Sequence, residues 1–447
     1  MQSSLKEFSV SAEHLALWLD HLALEPGFCL LHRPDGSVIV TAWPERQWQF
    51  PTEPDGQFWD TVVAELNEAE RLLREHHLDS TPELFSAGLV GVLDYEAGIH
   101  TVPGFRSVAK SPAPEALGWV GLFWWGLTIA ADGQTASGAI HPRCPQPTRE
   151  RLAALIQGEA PASALPGQSF RMQQGFLPRQ SPADYAAGVE KVLAYINAGD
   201  CYQVNLSQRF DGRFTGRPFD AFKALRAAIP VPHAAFIHAG DRQILSISPE
   251  RLMRIRGDQV ESKPIKGTRP RGANPQEDAA LRHELESSAK DRAENLMIVD
   301  LIRNDLSRVC QPYSVAVPTL FNVESYENVH QLVSTVTGQL KPGVGALEAL
   351  LSAFPGGSIT GAPKRRAMEI IDELEPHQRG PYCGSIFYLQ SDGTLDSNIA
   401  IRTLVTDDTG GISCWGGCGI VADSDPRAEY EESITKVGRL METLENL

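Results

Sequence analysis

The chain has 447 residues, 42% of them hydrophobic and 21% charged, which suits a soluble protein with a sizeable core. Its formal net charge of -16 argues against general nucleic-acid binding, which calls for a basic surface. An anionic substrate would therefore need local cations or a bound metal.

The N-terminal stretch MQSSLKEFSVSAEHLALWLDHL lacks a basic start followed by an apolar run, so no secretory signal is expected. In chain order, Gly27–Trp43 (GFCLLHRPDGSVIVTAW) and Ser86–Gly98 (SAGLVGVLDYEAG) read as strands. Between them, Trp59–His77 reads as an amphipathic helix. Leu117–Ala130 (LGWVGLFWWGLTIA) is too short and glycine-broken for a membrane span and reads as buried strand. The composition then shifts to Pro, Ala, Gly and Gln. This divides the chain into an N-terminal region 1–140, a connecting segment 141–181 and a C-terminal region 182–447.

Ser181-Pro182 starts a helix whose apolar residues Tyr185, Val189, Val192 and Ile196 follow helical spacing, and Gly199 ends it. CYQVNLSQRF alternates strictly. Tyr202, Val204 and Leu206 point one way; Gln203, Asn205 and Ser207 point the other, as in a strand lining a cavity. Residues 234–252 form one expected hairpin, turning at Gly240-Asp241, and residues 385–404 another, turning at Asp392-Gly393. Hairpins interspersed with long helices indicate an α+β fold with antiparallel sheets.

Several groups in this region carry potential chemistry. The acidic run 280–309 reads as a helix with Asp291 and Glu294 at i, i+3. The last helix, capped by Asp425, has an apolar stripe of Tyr430, Ile434, Val437, Met441 and Leu444. It carries Glu429, Glu432 and Lys436 on the face beside that stripe. The last helix taken alone reads rather as a solvated edge; two such carboxylate pairs together suit one hard divalent cation. FPGGSITGAPK and CWGGCGIVADSDP are glycine-rich turns, open to an anion or simply structural. Arg402, read as lying on the IAIRTL strand, suits a carboxylate anchor or an exposed edge. Lys266 and Glu250 fit either an amine nucleophile with an acid or a structural ion pair. The seven scattered cysteines suit a reducing cytoplasm, and Cys414 and Cys418 lack the partners a zinc site requires.

In order from about Pro182 to the C-terminus, a series of segments resembles the chorismate-utilising enzyme family. They are CYQVNLSQRF, SPERL, PIKGTRPRG, DRAENLMIVDLIRNDLSRV, VHQLVSTVTG, FPGGSITGAPK, GPYCGSIFY, IAIRTL, GGCGIVADSDP and EYEESITK. The N-terminal region resembles it more weakly, in GFCLLH and LVGVLDYEAG. The resemblance implies the fold of anthranilate synthase component I: one large α+β body, two antiparallel sheets packed face to face, helices outside. The N-terminal region would contribute to that body.

The resemblance also implies roles. Glu294 and Glu432 would hold Mg2+, with Asp291 and Glu429 as outer partners. The metal would hold the ring carboxylate of chorismate. Arg402, Tyr382, Lys436 and the backbone at Gly417 and Gly419 would hold the enolpyruvyl carboxylate, and Thr268 and His330 also match substrate-site positions. Glu250 would be the general acid. Gln203 stands where water-using members carry a lysine base, so hydration chemistry is disfavoured. PIKGT, where anthranilate-forming members read PIAGT, points to the branch that makes 4-amino-4-deoxychorismate for 4-aminobenzoate and folate, with Lys266 as nucleophile. The anthranilate-forming branch of tryptophan biosynthesis is the alternative. No cysteine sits in an amidotransferase elbow, so ammonia would come from a separate glutamine amidotransferase subunit or from solution. CLLHRPDG and PVPHAAF depart from the inhibitor-binding LLES and NPSPY, so no tryptophan feedback is expected.

Overall fold

The apolar run CLL is continuous because its strand is buried on both faces. In the strand Cys29–His32, Cys29 and Leu31 join one apolar cluster and Leu30 another. The first cluster fills the gap between two sheets: Cys29, Leu31 and Ile237 from one meet Val90, Val92, Trp119 and Ile386 from the other. The computed structural model describes residues 5–52, 56–78, 84–107, 116–157, 168–326 and 329–447. Among these, one sheet has twelve strands and the other ten, and their pairings are antiparallel. The helices Pro182–Asn197 and Pro426–Glu445 pack against the larger sheet, Ala289–Val309 against the smaller one. This is the expected α+β architecture of two face-to-face antiparallel sheets with helices around them.

Strands from the first 140 residues sit inside both sheets. Cys29–His32 pairs with His233–Ala239, and Gly88–Leu93 pairs with Ser385–Gln390. The segment 141–181 carries a helix, Gln146–Ile156, and a strand, Arg171–Pro178, that pairs with Gln203–Thr215. Its residues 158–167 lie outside the described residues. No helix among the described residues is long and apolar enough to cross a membrane.

Local signals read from the sequence have their expected physical form. Ser181 and Asp184 make a reciprocal capping box, with Asp184 N donating to Ser181 Oγ at 3.2 Å. Asp425 accepts from Ala428 N at 2.9 Å and caps the last helix. Gly240 (φ +70°) sits in the two-residue turn between His233–Ala239 and Arg242–Ser248.

Three elements differ from expectation. Leu117–Ala130 is not one strand: Gly118–Phe123 lies in the smaller sheet and Trp125–Ile129 in the larger. Both halves are buried throughout, so no polar alternation marks the switch. The acidic run 280–309 is two helices, Pro275–Ser287 and Ala289–Val309, broken at Ser288, whose hydroxyl accepts from Asp291 N at 3.2 Å. Arg402 lies on no strand. Leu395–Asn398 belongs to the smaller sheet, Thr403–Asp407 to the larger, and Ile399–Arg402 carries the chain across.

Four aromatic rings on the far side of the larger sheet test this packing. The Phe236 ring lies 5.9 Å from Phe28, 5.1 Å from Phe219 and 5.6 Å from Phe222. Phe236→Ala should destabilise the fold by about 3–5 kcal/mol in denaturant unfolding. A loss below about 1 kcal/mol would contradict a closely packed cluster.

Candidate active site

The strand Gln203–Thr215 forms one wall. It pairs with Gly411–Ile420, setting Asn205 opposite Gly419 and Ser207 opposite Gly417. Leu206 turns to the helices, where Tyr185 Oη donates to its carbonyl at 3.0 Å. The polar face is buried. Gln203 is 0% exposed, and neither atom of its amide has a partner in the protein. A buried amide left without partners is costly, and such a group marks a place where a ligand or water completes the set. A Cβ added to Gly419 would stand 2.9 Å from Gln203 Nε2 and 3.6 Å from Lys266 Nζ. Amide and amine therefore border one small space, kept open because residue 419 has no side chain.

Lys266 reaches this space through a bulge. The strand Ile265–Pro270 pairs with Val329–Gln339, but the register slips between Ile265 and Thr268. Gly267 supplies the left-handed backbone (φ +84°), and a side chain there would strike the Asp291 carboxyl at 2.8 Å. Burial lowers the Lys266 pKa, against the carboxylates of Glu294, Glu250 and Glu432 and with help from the Lys436 ammonium. The net direction is down, toward the neutral amine.

Glu250 sits where the chain leaves Arg242–Ser248 of the larger sheet for Arg251–Arg256 of the smaller. It is 6% exposed, and Ser358 Oγ donates to its Oε1 at 3.0 Å. Burial raises its pKa, opposed by Ser358, Lys266, the Ile265 amide and Arg402. An acid shifted toward its protonated form beside an amine shifted toward its neutral form is the pairing needed to expel a hydroxyl. Arg402 joins it from the second crossing, with a left-handed backbone (φ +51°). Burial lowers the Arg402 pKa and Glu250 opposes that shift.

The carboxylates come from two helices. Burial raises Glu294; Lys266 and Lys290 oppose it, while Asp291 and Glu432 add to it. Glu432 pairs with Lys436 at 2.8 Å, and Lys436 Nζ also donates to the Gly417 carbonyl at 3.0 Å. Burial would raise Glu432, but Lys436 brings it below the usual carboxylate range. Glu429 is buried and accepts from Ser424 Oγ at 2.6 Å. Donor atoms of Cys418, Glu429 and Glu432 lie within 4.8 Å of one another. Burial pushes the Cys418 thiol well up, so it stays neutral and only the carboxylates suit a hard cation. Glu429 and Glu432 bring carboxylate oxygens within 4.8 Å of one another, and Glu294 feels the Glu432 charge, so the three suit such an ion. Asp291 is engaged elsewhere: Arg269 holds its carboxylate at 3.0 Å.

The remaining candidates are distributed unevenly. Tyr382 is buried and stacks on Trp415, centroids 6.0 Å apart and planes 7° apart. Thr268 is exposed, two residues past Lys266. His330 is buried with both ring nitrogens engaged, by Ser325 Oγ at 2.8 Å and Asp278 at 3.0 Å. The glycine turn FPGGSIT serves Glu250 through Ser358, which the sequence reading passed over. Arg379 was missed altogether. Its guanidinium binds Glu375 at 2.6 Å, the Asn205 carbonyl at 2.6 Å and the Ile359 carbonyl at 3.0 Å. It lies 4.5 Å from the Tyr95 ring and 5.9 Å from that of Tyr382. EPHQRG shows a polar loop and nothing of these distant partners. CLLH and PVPHAAF do meet, Leu31 opposite Ala235, around a small cavity lined by His32, His233 and Tyr388. Burial drives both histidines down to about 3, so they are neutral there.

The family model for chorismate binding enzymes matches residues 27–442. The chain is 44% identical to aminodeoxychorismate synthase component 1 of Klebsiella aerogenes, over 95% of this chain and 94% of that protein. It is 43% identical to the Salmonella typhimurium protein of the same name, over 83% and 80%. The crystal structure of anthranilate synthase component I from Streptococcus pneumoniae TIGR4 superposes with a TM-score of 0.74 at 27% identity. That match covers 99% of this chain and 93% of the other.

The open face of Gly419 gives a direct check. Gly419→Ala would press on the Gln203 amide, so turnover should fall about tenfold while the melting curve stays close to wild type. Unchanged turnover would show that the reacting groups do not share this space.

Proposed function

Because the chain belongs to the family of chorismate binding enzymes, we propose that it converts chorismate and ammonia to 4-amino-4-deoxychorismate, the precursor of 4-aminobenzoate for folate. The observation that carries the reading is the Lys266 amine, lowered in pKa by burial and bordering the same space as the unpartnered Gln203 amide. A water-adding enzyme needs a base where Gln203 stands, and a carboxamide cannot deprotonate water. The 44% identity to an aminodeoxychorismate synthase component 1 across nearly the whole chain supports the same product.

In this reading, Lys266 bonds to C2 of chorismate as both ring double bonds shift, toward C6 and toward C4. Glu250 gives its proton to the C4 hydroxyl, which leaves as water. Ammonia then bonds to C4, the C2–N bond breaks, and Lys266 leaves as the free amine. The proton shed by the incoming nitrogen returns to the Glu250 carboxylate, so the acid is reset. The enolpyruvyl group stays on the ring. Arg402 and Lys436, both cationic, hold its carboxylate, with Tyr382 and the backbone at Gly417 and Gly419 shaping the pocket. Thr268, and His330 fixed by Ser325 and Asp278, complete the substrate surroundings.

Glu294 and Glu432 would hold Mg2+, with Glu429 beside them and Asp291, one of whose oxygens is held by Arg269, in contact through water. Bound there, the ion supplies positive charge against the ring carboxylate of chorismate. Ammonia comes from a glutamine amidotransferase subunit, in keeping with the name component 1 borne by the relatives, and the enzyme works in the cytoplasm.

Incubation with chorismate, ammonium and Mg2+, followed by product mass, tests the reaction. Anthranilate fluorescence without an added lyase would replace it with the pyruvate-losing reaction. Glutamine in place of ammonium should give no product until the amidotransferase subunit is added. Lys266→Ala should reduce product formation at least a hundredfold and abolish any trapped adduct on the peptide carrying residue 266; wild-type turnover would rule the nucleophile out. Glu432→Gln should raise the Mg2+ concentration for half-maximal activity at least tenfold, and an unchanged titration would remove Glu432 from the metal set.

A further inference from the structure

Behind Glu250 lies a second, closed space that the reaction above does not use. The strand Arg251–Arg256, the helix Ala289–Val309 and the turn Gly357–Ile359 enclose it. Glu250, Ser358 and Asp305 are in its wall, with Ile302, Leu306 and Ile399 among the apolar remainder. Its volume is about 20 Å³, room for one water molecule. Asp305 is 3% exposed. Its Oδ2 accepts from Lys364 Nζ at 2.8 Å, and its Oδ1 is buried with no partner in the protein. Lys364 Nζ is further tied to the Ala353 carbonyl at 3.1 Å. A buried carboxylate oxygen without a donor is expensive, and the water-sized cavity beside it, mostly apolar but with Ser358 and Glu250 also in its wall, has room for one.

We propose that Asp305, ion-paired to Lys364, is a positioning residue for Glu250 and acts through one water bound in this cavity. The proposal rests on the reading of Glu250 as the general acid. An ionised carboxylate only accepts, so the water gives one hydrogen to Asp305 Oδ1 and the other to Ser358 Oγ. The Ser358 proton is then committed to Glu250 Oε1, the bond seen at 3.0 Å. The chain of donors runs one way. It keeps Oε1 an acceptor and leaves the transferable proton on Oε2. The Asp305 charge acts in the same sense, since it disfavours a second carboxylate nearby.

The charged and titratable neighbours set the sign. Lys266 and Arg402 face Glu250 and favour its ionised form, while burial opposes them and Cys383 also adjoins it. Lys364 and Arg308 face Asp305. Turnover needs protonated Glu250, so activity is lost as pH rises through its pKa. Asp305→Asn removes a negative charge and uncovers Lys364, so Glu250 ionises more readily. The basic limb of the kcat–pH profile should move down by about one pH unit. Ser358→Ala removes a donor to the carboxylate, so the limb should move up by about half a unit. A structural role alone would lower kcat at every pH and move neither limb.

The measurements are kcat–pH profiles with chorismate, ammonium and Mg2+ for both variants, and a high-resolution crystal structure of the wild-type protein. Opposite limb shifts, with water density within about 3.2 Å of both Asp305 Oδ1 and Ser358 Oγ, are expected. A superimposable profile for Asp305→Asn, or a cavity without an ordered water, overturns the proposal. If Asp305→Asn fails to fold because Lys364 is left unpaired, Ser358→Ala and the crystal structure decide it. Glu250→Gln separates the two readings: full turnover in that variant removes the general-acid assignment itself.

Discussion

Two adjacent crossings between the sheets determine the site. The chain passes from the larger sheet to the smaller at Glu250 and returns from the smaller to the larger at Ile399–Arg402. The two passages are stitched together. Ser248 Oγ donates to the Ile399 carbonyl at 2.6 Å, Ile399 N to the Glu250 carbonyl at 3.0 Å, and Ile247 N to the Arg402 carbonyl at 3.0 Å. Inside a ladder a side chain is confined to one of two faces. At a crossing that rule lapses, and the side chain can be turned along the gap between the sheets. An acid and an arginine are thus held by backbone that is hydrogen-bonded from crossing to crossing, as a preorganised site requires.

Arg379 joins the parts that the crossings leave separate. It fixes the carbonyl of Asn205 on the polar strand and that of Ile359, next to Ser358, and it lies under Tyr382. Glu375 neutralises it and also accepts from Ser207 N and Oγ, at 2.7 and 2.8 Å. A pair like this contributes little net stability, and losing either member leaves a buried charge exposed to no solvent. Its value is geometric, since one guanidinium registers three segments that are far apart in sequence.

How much of this was legible depends on how local the cause is. Helix caps at Ser181 and Asp425, the turn at Gly240 and the alternation of Gln203, Asn205 and Ser207 depend on a few neighbouring residues, and the sequence shows them. The acidic pairs could be assigned to helices, but not brought together, because that depends on packing between segments over a hundred residues apart. Leu117–Ala130 hid a change of sheet because burial on both faces erases alternation. Arg402 seemed to continue a strand because IAIRTL has strand composition; its left-handed backbone comes from the crossing. Arg379, and the pairing of Asp305 with Lys364, left no trace, since isolated polar residues in loops and helices look alike until their partners are in place. The domain limits drawn from composition follow the linker, whereas the strands Cys29–His32 and Gly88–Leu93 pair across it.

That pairing bears on how the chain must fold. Leu30 lies opposite Phe236, and Val90 opposite Tyr388, so central ladders of both sheets join residues separated by about half or more of the chain. Contacts of such long range carry a large loop-closure cost and form slowly. During synthesis, Cys29–His32 and Gly88–Leu93 can pair early on one edge, with Val38–Thr41 and Gly118–Phe123, but the other edge must wait until His233–Ala239 and Ser385–Gln390 emerge. The pocket between the sheets exists only after both ladders close, so the chain has no partly folded form in which the acid, the amine and the cation ligands are already assembled.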